Sequence, residues 1–455
     1  MTNTSKSGNS QTPQDLPGTD WDLRGQTESV SVRQILSLAL PALGVLAAMP
    51  LYMLWDTAVV GRLGATELAA LGGAVAIQSV VTTQLTFLSF GTTARAARLF
   101  GAGRRQAAVE EGMQATWVAL AVGAVLGLGM IVGAPQLCRW LLGVGQPAEL
   151  AAQWLRACAP IIPAALVVMA GNGWLRGVQN TRLPLYFTLA GVVPAAVLVP
   201  VFVDRFSLVG SAYANVVGES ITATLFLVCL FRQPGRRSLT PDFGVISSQL
   251  VLGRDLILRS LAFQVAFLSA AGVASRMGEA ALAGHQILLQ LWNFLSLVLD
   301  SLAIAAQALV GAALGAGSAV RARGVGMKVI GFSLAAAAMM SAVLVAGSRW
   351  IPGLFTRDAA VLSGLGTPWW VLSGMVILGG CAYALDGVLL GAGDATYLRN
   401  ATLASVACGF IPGVWIAWAV GVGLTGIWFG IAAFMLLRCV FIGARFISMK
   451  WAKVS

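Results

Sequence analysis

The chain has 455 residues, 58% of them hydrophobic and only 10% charged, with a formal net charge of +11. A soluble domain usually carries about 25% charged residues, so this composition excludes an ordinary soluble globular protein. The six cysteines form no CxxC pair and His285 is the only histidine, which excludes a metal cluster built on histidines.

The chain opens with a polar tail, residues 1–32, rich in Ser, Thr, Gln, Gly and Asp. It lacks the apolar core of a signal peptide. We therefore expect a disordered tail on the cytoplasmic side of a membrane.

Twelve long apolar runs follow the tail. Residues 113–134 and 401–422, for example, contain no Asp, Glu, Lys, Arg or His. A helix of about 20 apolar residues crosses a bilayer, and lipid offers a single backbone segment no other way to satisfy its hydrogen bonds. The pattern predicts an all-α polytopic membrane protein with twelve transmembrane helices at residues 34–60, 67–92, 112–134, 152–175, 184–203, 208–231, 255–275, 281–312, 325–347, 362–390, 399–421 and 424–447.

The basic residues are distributed unequally between the two sides of these predicted spans. Seven of the 29 basic residues lie on one side, which leaves 29 − 7 = 22 for the side that carries the termini. This bias predicts an integral protein of the plasma (inner) membrane, in contact with lipid and with both termini in the cytoplasm. Because the charges follow membrane topology, we expect no nucleic-acid partner. The seven are Arg62, Arg139, Arg156, Arg205, Arg276, Arg349 and Arg357.

An internal repeat recurs at an offset of 214 residues. Residues 101–103 match 315–317, and residues 172–177 match 386–391. Each copy holds six predicted helices, an even number, so the two copies keep the same orientation. Such repeats are typical of transporters that alternate access between two bundles, although duplicated channels also exist. The predicted domains are an N-lobe (33–232), a cytoplasmic linker (233–254), a C-lobe (255–447) and a cytoplasmic tail (448–455).

Three segments carry a resemblance to a known family. They are Pro-Leu-Tyr-Met-Leu-Trp-Asp-Thr-Ala-Val-Val-Gly-Arg-Leu-Gly at 50–64, Ala-Ile-Ala-Ala-Gln-Ala-Leu-Val-Gly at 303–311, and Asp-Gly-Val-Leu-Leu-Gly-Ala-Gly-Asp at 386–394. Together they resemble the MATE (multidrug and toxin extrusion) family, specifically its DinF-like branch, over about residues 33–447. The resemblance implies a V-shaped pair of six-helix lobes and cation-coupled efflux.

Asp56 is the first candidate for ion coupling. A carboxylate inside an apolar span costs about 2.5–3.5 kcal/mol on insertion scales, and protonation lowers that cost. The resemblance implies the same role, whereas the plainer alternative is a hydrogen bond to a neighbouring helix. Many family members also place Asn and Asp on helix five, but residues 194–200 contain neither. Asp56 is therefore expected to act nearly alone or with Glu219, which favours H⁺ over Na⁺ because a hard cation needs several oxygen ligands.

Three further residues are candidates for hinge or gating roles. Pro41 and Pro50 lie on the helix of Asp56, where each removes a backbone hydrogen bond and permits a bend, whether mobile or static. Asp386 lies near the end of predicted helix ten, where its repeat partner is Asn172. This placement favours a helix-end cap or a hinge.

A polar stripe marks predicted helix eight. Its spacings of four, three, seven and seven residues put its members on one face. We predict that this face lines a substrate cavity with Trp292 beside it and that Asp300 attracts cationic cargo, although interhelical hydrogen bonding is the alternative. His285 lies next to the stripe and exchanges protons near neutral pH when unperturbed. The stripe consists of Gln286, Gln290, Asn293, Asp300 and Gln307.

These features together predict a secondary transporter. It would act as a monomer that exports small organic, cationic or amphipathic compounds by proton antiport. The alternatives are a sodium-coupled antiporter and a flippase for lipid-linked sugars, and the predominance of acidic charges inside the predicted spans disfavours the flippase. No nucleophile–base pair, metal cluster or phosphate loop points to an enzyme, a catalytic residue or a cofactor.

Overall fold

The computed structural model describes residues 30–233 and 240–453, which form helices and no strand. The helices are α1 (Val32–Val60), α2 (Ala65–Leu85), α3 (Phe87–Gly101), α4 (Arg105–Leu142), α5 (Gln146–Cys158), α6 (Ile161–Gly177), α7 (Arg182–Phe206), α8 (Leu208–Phe231), α9 (Phe243–Arg276), α10 (Glu279–Gly315), α11 (Ala319–Ala346), α12 (Ile351–Phe355), α13 (Ala359–Gly364), α14 (Gly366–Gly391), α15 (Ala395–Ser405), α16 (Ile411–Val420) and α17 (Leu424–Ile447). A π-helical turn, Val406–Phe410, joins α15 to α16.

The helices assemble into membrane spans as the sequence predicted. Eleven are long and apolar enough to cross a bilayer, and the pair α5–α6, bent by 50°, makes a twelfth. Helices α2 and α3 form one span, as do α15, the π turn and α16. The prediction of an all-α protein with twelve transmembrane helices is confirmed.

The spans divide into two lobes. In the N-lobe (α1–α8), α7 packs on α8, and α6 packs on both α3 and α4. In the C-lobe (α9–α17), α14 packs on α10, α11 and α17. Helix α10 also contacts α1 and α3 of the other lobe, and most of its apolar membrane-spanning segment is buried. Helix α10 is therefore the central element on which the two lobes meet. We call the end at which α1 begins the basic end of the bundle, and the other the opposite end.

Close helix contacts show that the lobes are pseudosymmetric. A methyl added to Gly101 would lie 2.0 Å from the carbonyl oxygen of Ala312, and one added to Gly315 would lie 2.0 Å from that of Arg98. Both glycines, and both of their partners, are 214 residues apart. The predicted repeat is thus confirmed as matching contacts across the lobe interface.

Replacing Gly315 by valine should disrupt this interface. The new side chain meets a backbone carbonyl that cannot move without its helix, and such overpacking usually costs about 1–3 kcal/mol. We expect a lower midpoint of thermal unfolding in detergent. Gly324→Ala is the control, because nothing lies within 4 Å of its added carbon. An unchanged midpoint for Gly315→Val would contradict the tight crossing.

Prolines inside the spans leave carbonyl groups without a helical donor, and neighbouring helices supply one. A proline removes the N–H that would bond the carbonyl four residues earlier. Behind Pro41, the Ser37 carbonyl accepts from the Thr181 hydroxyl at 3.3 Å. Behind Pro200, the Ala196 carbonyl accepts from the Trp55 indole at 2.9 Å. Because lipid offers no hydrogen bond, these donors fix how α1 packs against its neighbours.

The predicted linker and tails differ from the structure in extent. Helix α9 begins at Phe243, inside the linker predicted at 233–254, because the Asp242 carboxylate caps it by accepting from the N–H of Gly244 at 2.8 Å. Helix α1 begins at Val32, where the Ser31 side chain caps it. Most of the tail predicted at 1–32, part of the linker and the last two residues lie outside the described ranges.

Candidate functional site

The N-lobe holds a buried carboxylate at Asp56, near the opposite end of α1. Its residue is 5% exposed. The Ser211 hydroxyl of α8 donates to its Oδ2 at 2.8 Å, and Asn215, one turn further along α8, also interacts with this carboxylate. Oδ1 has no hydrogen-bond partner among the described residues. One oxygen is thus held in place and the other is available to carry a proton.

Side chains next to Ser211 and Asp56 complete the surroundings of this carboxylate. The Trp154 indole donates to the Ser211 oxygen at 3.3 Å, so that the hydroxyl hydrogen is directed to Asp56. Tyr52, one turn before Asp56 on α1, is buried with its hydroxyl unpartnered within the described part of the chain. Sequence reasoning missed Ser211, Asn215 and Trp154, although Ser211, Asn215 and Glu219 follow each other at helical intervals of four.

Glu219 lies on α8 but does not reach Asp56. It is eight residues beyond Ser211, a rise of about 12 Å toward the basic end. The residue is half-buried, and within 30–233 and 240–453 its side chain has no hydrogen bond or ion pair. Asp56 and Glu219 are therefore separate groups on one face of the lobe.

The C-lobe contains a buried ion cluster centred on Asp386. Its Oδ2 accepts from Arg259 of α9 at 2.5 Å and also from Arg438 of α17. Both guanidinium groups lie against the Phe263 ring, at 5.7 and 4.9 Å from its centroid. From the sequence, Asp386 was predicted to be a helix-end cap or a hinge. Instead, Asp386 lies inside α14 and ties three helices together.

Asp300, which was predicted to attract cationic cargo, lies among buried arginines. It is half-buried on α10 and interacts electrostatically with Arg259, Arg438 and Arg176, the last on α6 of the N-lobe. These three arginines are buried or nearly so, which corrects the view that the intramembrane charges are mostly acidic. Asp300 therefore belongs to a group of two carboxylates, with Asp386, and three arginines, and the formal charges of that group sum to +1, which does not favour a cationic substrate.

The polar stripe of α10 divides into two parts. Gln286, Gln290 and Asn293, toward the opposite end, are exposed. Gln307 is 1% exposed, and its amide donates to the Phe90 carbonyl of the N-lobe at 2.7 Å. Gln307 thus joins the lobes by an interhelical hydrogen bond, the alternative that the sequence left open, and does not line a cavity.

The remaining candidates are two buried side chains on α10 and two prolines on α1. Trp292 is 4% exposed and packs against Gly379 and the Tyr383 ring, so it is a packing residue of the α10–α14 contact. His285 is fully buried, with its ring centroid 6.0 Å from that of Trp428. Both of its nitrogens lack a partner among the described residues. Pro41 and Pro50 both lie inside the continuous helix α1.

Comparisons with known proteins cover most of the chain. The family model described as MatE matches residues 41–201 and 256–415. The chain is 33% identical to Protein DETOXIFICATION 44, chloroplastic, of Arabidopsis thaliana, over 90% of this chain and 80% of that protein. It is 29% identical to DNA damage-inducible protein F of Escherichia coli, over 90% of each. A crystal structure of MATE in the bent conformation superposes with a TM-score of 0.86 at 21% identity, over 92% of this chain and 96% of that one.

Proposed function

The chain belongs to the MatE family of transporters, and from that premise we propose that it exports small organic compounds by proton-coupled antiport. The observation that carries the coupling proposal is the Asp56 carboxylate. It is buried in a membrane span and has one anchored oxygen and one unpartnered oxygen. A carboxyl in apolar surroundings is stabilised when it is neutral, so it gains a proton readily and releases it when a conformational change brings in water.

Two contacts favour a proton over sodium at Asp56. The Ser211 hydroxyl donates its hydrogen to the carboxylate, and its oxygen accepts from Trp154. One of the two lone pairs of that oxygen is therefore engaged, and the site offers few free oxygens to sodium, which needs several. A titrating carboxyl needs only one free oxygen.

The contacts between lobes support alternating access. Hydrogen bonds that cross the interface cluster in the middle and toward the basic end, while the stripe residues Gln286, Gln290 and Asn293 are exposed near the opposite end. We infer a cleft that is closed at the basic end and open at the other. The excess of basic residues at the basic end supports a cytoplasmic position for that end, in the inner membrane.

The buried arginines bear on the cargo. From the sequence, the cargo was predicted to be cationic or amphipathic, with Asp300 attracting cations. Arg176 and Arg259, however, interact electrostatically with the Asp300 carboxylate and oppose its negative charge. Exposed amide side chains on α10 favour neutral or amphipathic compounds. The three buried arginines favour a second candidate, a carrier of lipid-linked anions, although Asp386 already binds Arg259 and Arg438.

Transport in proteoliposomes tests the proposal. Vesicles containing the purified protein would be given an imposed pH gradient, and the movement of an amphipathic fluorescent dye would be followed. We expect dye movement against its gradient under the pH gradient and none under a matched sodium gradient. Movement driven by sodium alone would overturn the coupling proposal, and movement only of a lipid-linked anion would favour the second candidate.

A further inference from the structure

Two junctions close the basic end between the lobes, and the repeat relates them. At the first, α3 and α4 of the N-lobe meet α9 of the C-lobe. At the second, α10 of the C-lobe meets α1 of the N-lobe, with α11 beside α10. A symmetric gate would use the same chemistry at both junctions, so their side chains can be compared position by position.

The first junction is polar. Glu111 of α4 is 4% exposed, and its Oε1 pairs with Nε of Arg95 at 2.7 Å and accepts from the Gln249 amide of α9 at 2.7 Å. Arg95, on α3, also donates to the Ser248 hydroxyl of α9 at 2.5 Å. One carboxylate and one guanidinium thus link two N-lobe helices to the first helix of the C-lobe. We call Arg95, Glu111 and Gln249 the polar latch.

The second junction is apolar at the same three positions. The repeat counterpart of each latch residue lies 214 residues away. Arg95 corresponds to Leu309, Glu111 to Val325 and, in the opposite direction along the chain, Gln249 to Ile35. All three counterparts are buried, with exposures of 4%, 3% and 1%. The three latch positions are therefore polar in the first junction and apolar in the second, where the Lys328 ammonium of α11 also donates to the Val30 carbonyl at 3.0 Å.

The two kinds of contact respond differently when the lobes separate. Opening an apolar junction exposes apolar area to water, at about 25 cal/mol per Å². Opening the polar latch moves Gln249 away from Glu111 and Ser248 away from Arg95. The Arg95–Glu111 pair remains intact within the N-lobe, and water replaces the two lost partners. A buried acceptor that loses its partner without water costs about 1–3 kcal/mol, whereas hydration removes most of that cost.

We propose that Glu111, held by Arg95, is the gate residue that keeps the basic end closed and that its hydration starts the opening toward that side. The proposal rests on the alternating access proposed above. Glu111 acts by positioning helices and does not touch the cargo.

Distance measurements between spin labels test the latch. Labels at Arg104 of the N-lobe and Val320 of the C-lobe, both exposed near the basic end, would be introduced after replacing the native cysteines by alanine. Double electron–electron resonance then reports the separation of the lobes. The parent protein should show one dominant short distance. Glu111→Ala should make a longer distance the major population, and Glu111→Gln, which can still accept from Gln249 but loses its charge, should shift it less.

Two controls separate this latch from general damage. Glu110→Gln removes the neighbouring carboxylate, which faces away to Gln106, and should leave the short distance unchanged. Arg95→Leu/Glu111→Val/Gln249→Ile copies the apolar counterpart and should restore the short distance while slowing transport. A parent-like distribution for both Glu111 variants would overturn the proposal, and so would a triple variant that stays open. Because the readout is a distance, failure of transport under any ion gradient would count against the proposed function alone.

Discussion

Asp56→Asn is expected to abolish proton-driven export while leaving the fold intact. Asparagine keeps an oxygen that accepts from Ser211, now 2.8 Å from Oδ2 of Asp56, so the local packing survives. It cannot take up or release a proton, so the proposed coupling step is lost. Stability should change by no more than the net value of one hydrogen bond, about 0.5–1.5 kcal/mol. Dye efflux from proteoliposomes under a pH gradient measures the first effect, and thermal unfolding the second.

Ser211→Ala is the matched control for that substitution. It removes the hydrogen-bond donor but keeps the titrating carboxyl, so proton-driven export should persist at a reduced rate. Undiminished export by Asp56→Asn would eliminate Asp56 as the coupling group. Complete loss of export in Ser211→Ala as well would indicate that a titrating carboxyl without its Ser211 hydrogen bond is not sufficient for coupling.

Asp386→Asn should cause the largest loss of stability. The substitution leaves Arg259 and Arg438 buried without the carboxylate that binds both of them, with Asp300 as a nearby anion that makes no direct ion pair with either. Breaking a buried ion pair from one side typically costs about 3–5 kcal/mol. We expect little folded protein to survive extraction into detergent. Fluorescence-detected size-exclusion chromatography and the midpoint of thermal unfolding would measure the effect.

Arg438→Met is the comparison for this second prediction. It removes one of the two cations and leaves the Arg259–Asp386 pair at 2.5 Å, while its unbranched side chain can still pack on Phe263. Its loss of stability should be clearly smaller than that of Asp386→Asn. If the two variants were equally stable, the cluster would not depend on its central carboxylate.

Sequence features that extend over many residues predicted the fold well. Apolar runs of membrane length predicted the twelve spans, because a lipid-exposed backbone must be helical. The 214-residue offset predicted the two lobes, and the structure reproduces it in the paired contacts of Gly101 and Gly315. The motif at 50–64 indicated the family that the comparisons show. Each of these signals spans many residues and does not depend on any single side-chain contact.

Single charged residues were predicted less well. Nothing local in the sequence indicates that Arg259 and Arg438 both meet Asp386, 127 and 52 residues away. Trp292 follows the polar stripe in sequence but projects from another side of α10 into α14. The polar face of Ser211 and Asn215 was readable from its four-residue spacing. The contact between this face and Asp56, which is 155 residues from Ser211, could not be read from the sequence.

The reciprocal glycine contacts have a consequence for the origin of the molecule. Gly101 meets Ala312, and Gly315 meets Arg98. The second pair consists of the repeat counterparts of the first, so the same contact is made twice with the lobes exchanged. That is the rule of an isologous interface, in which one surface patch pairs with its own copy across a twofold axis. A half-length ancestor with one such glycine would make both contacts as a homodimer. In a single chain that holds both copies, Arg95 and Leu309 can differ, because one substitution no longer appears on both sides of the axis.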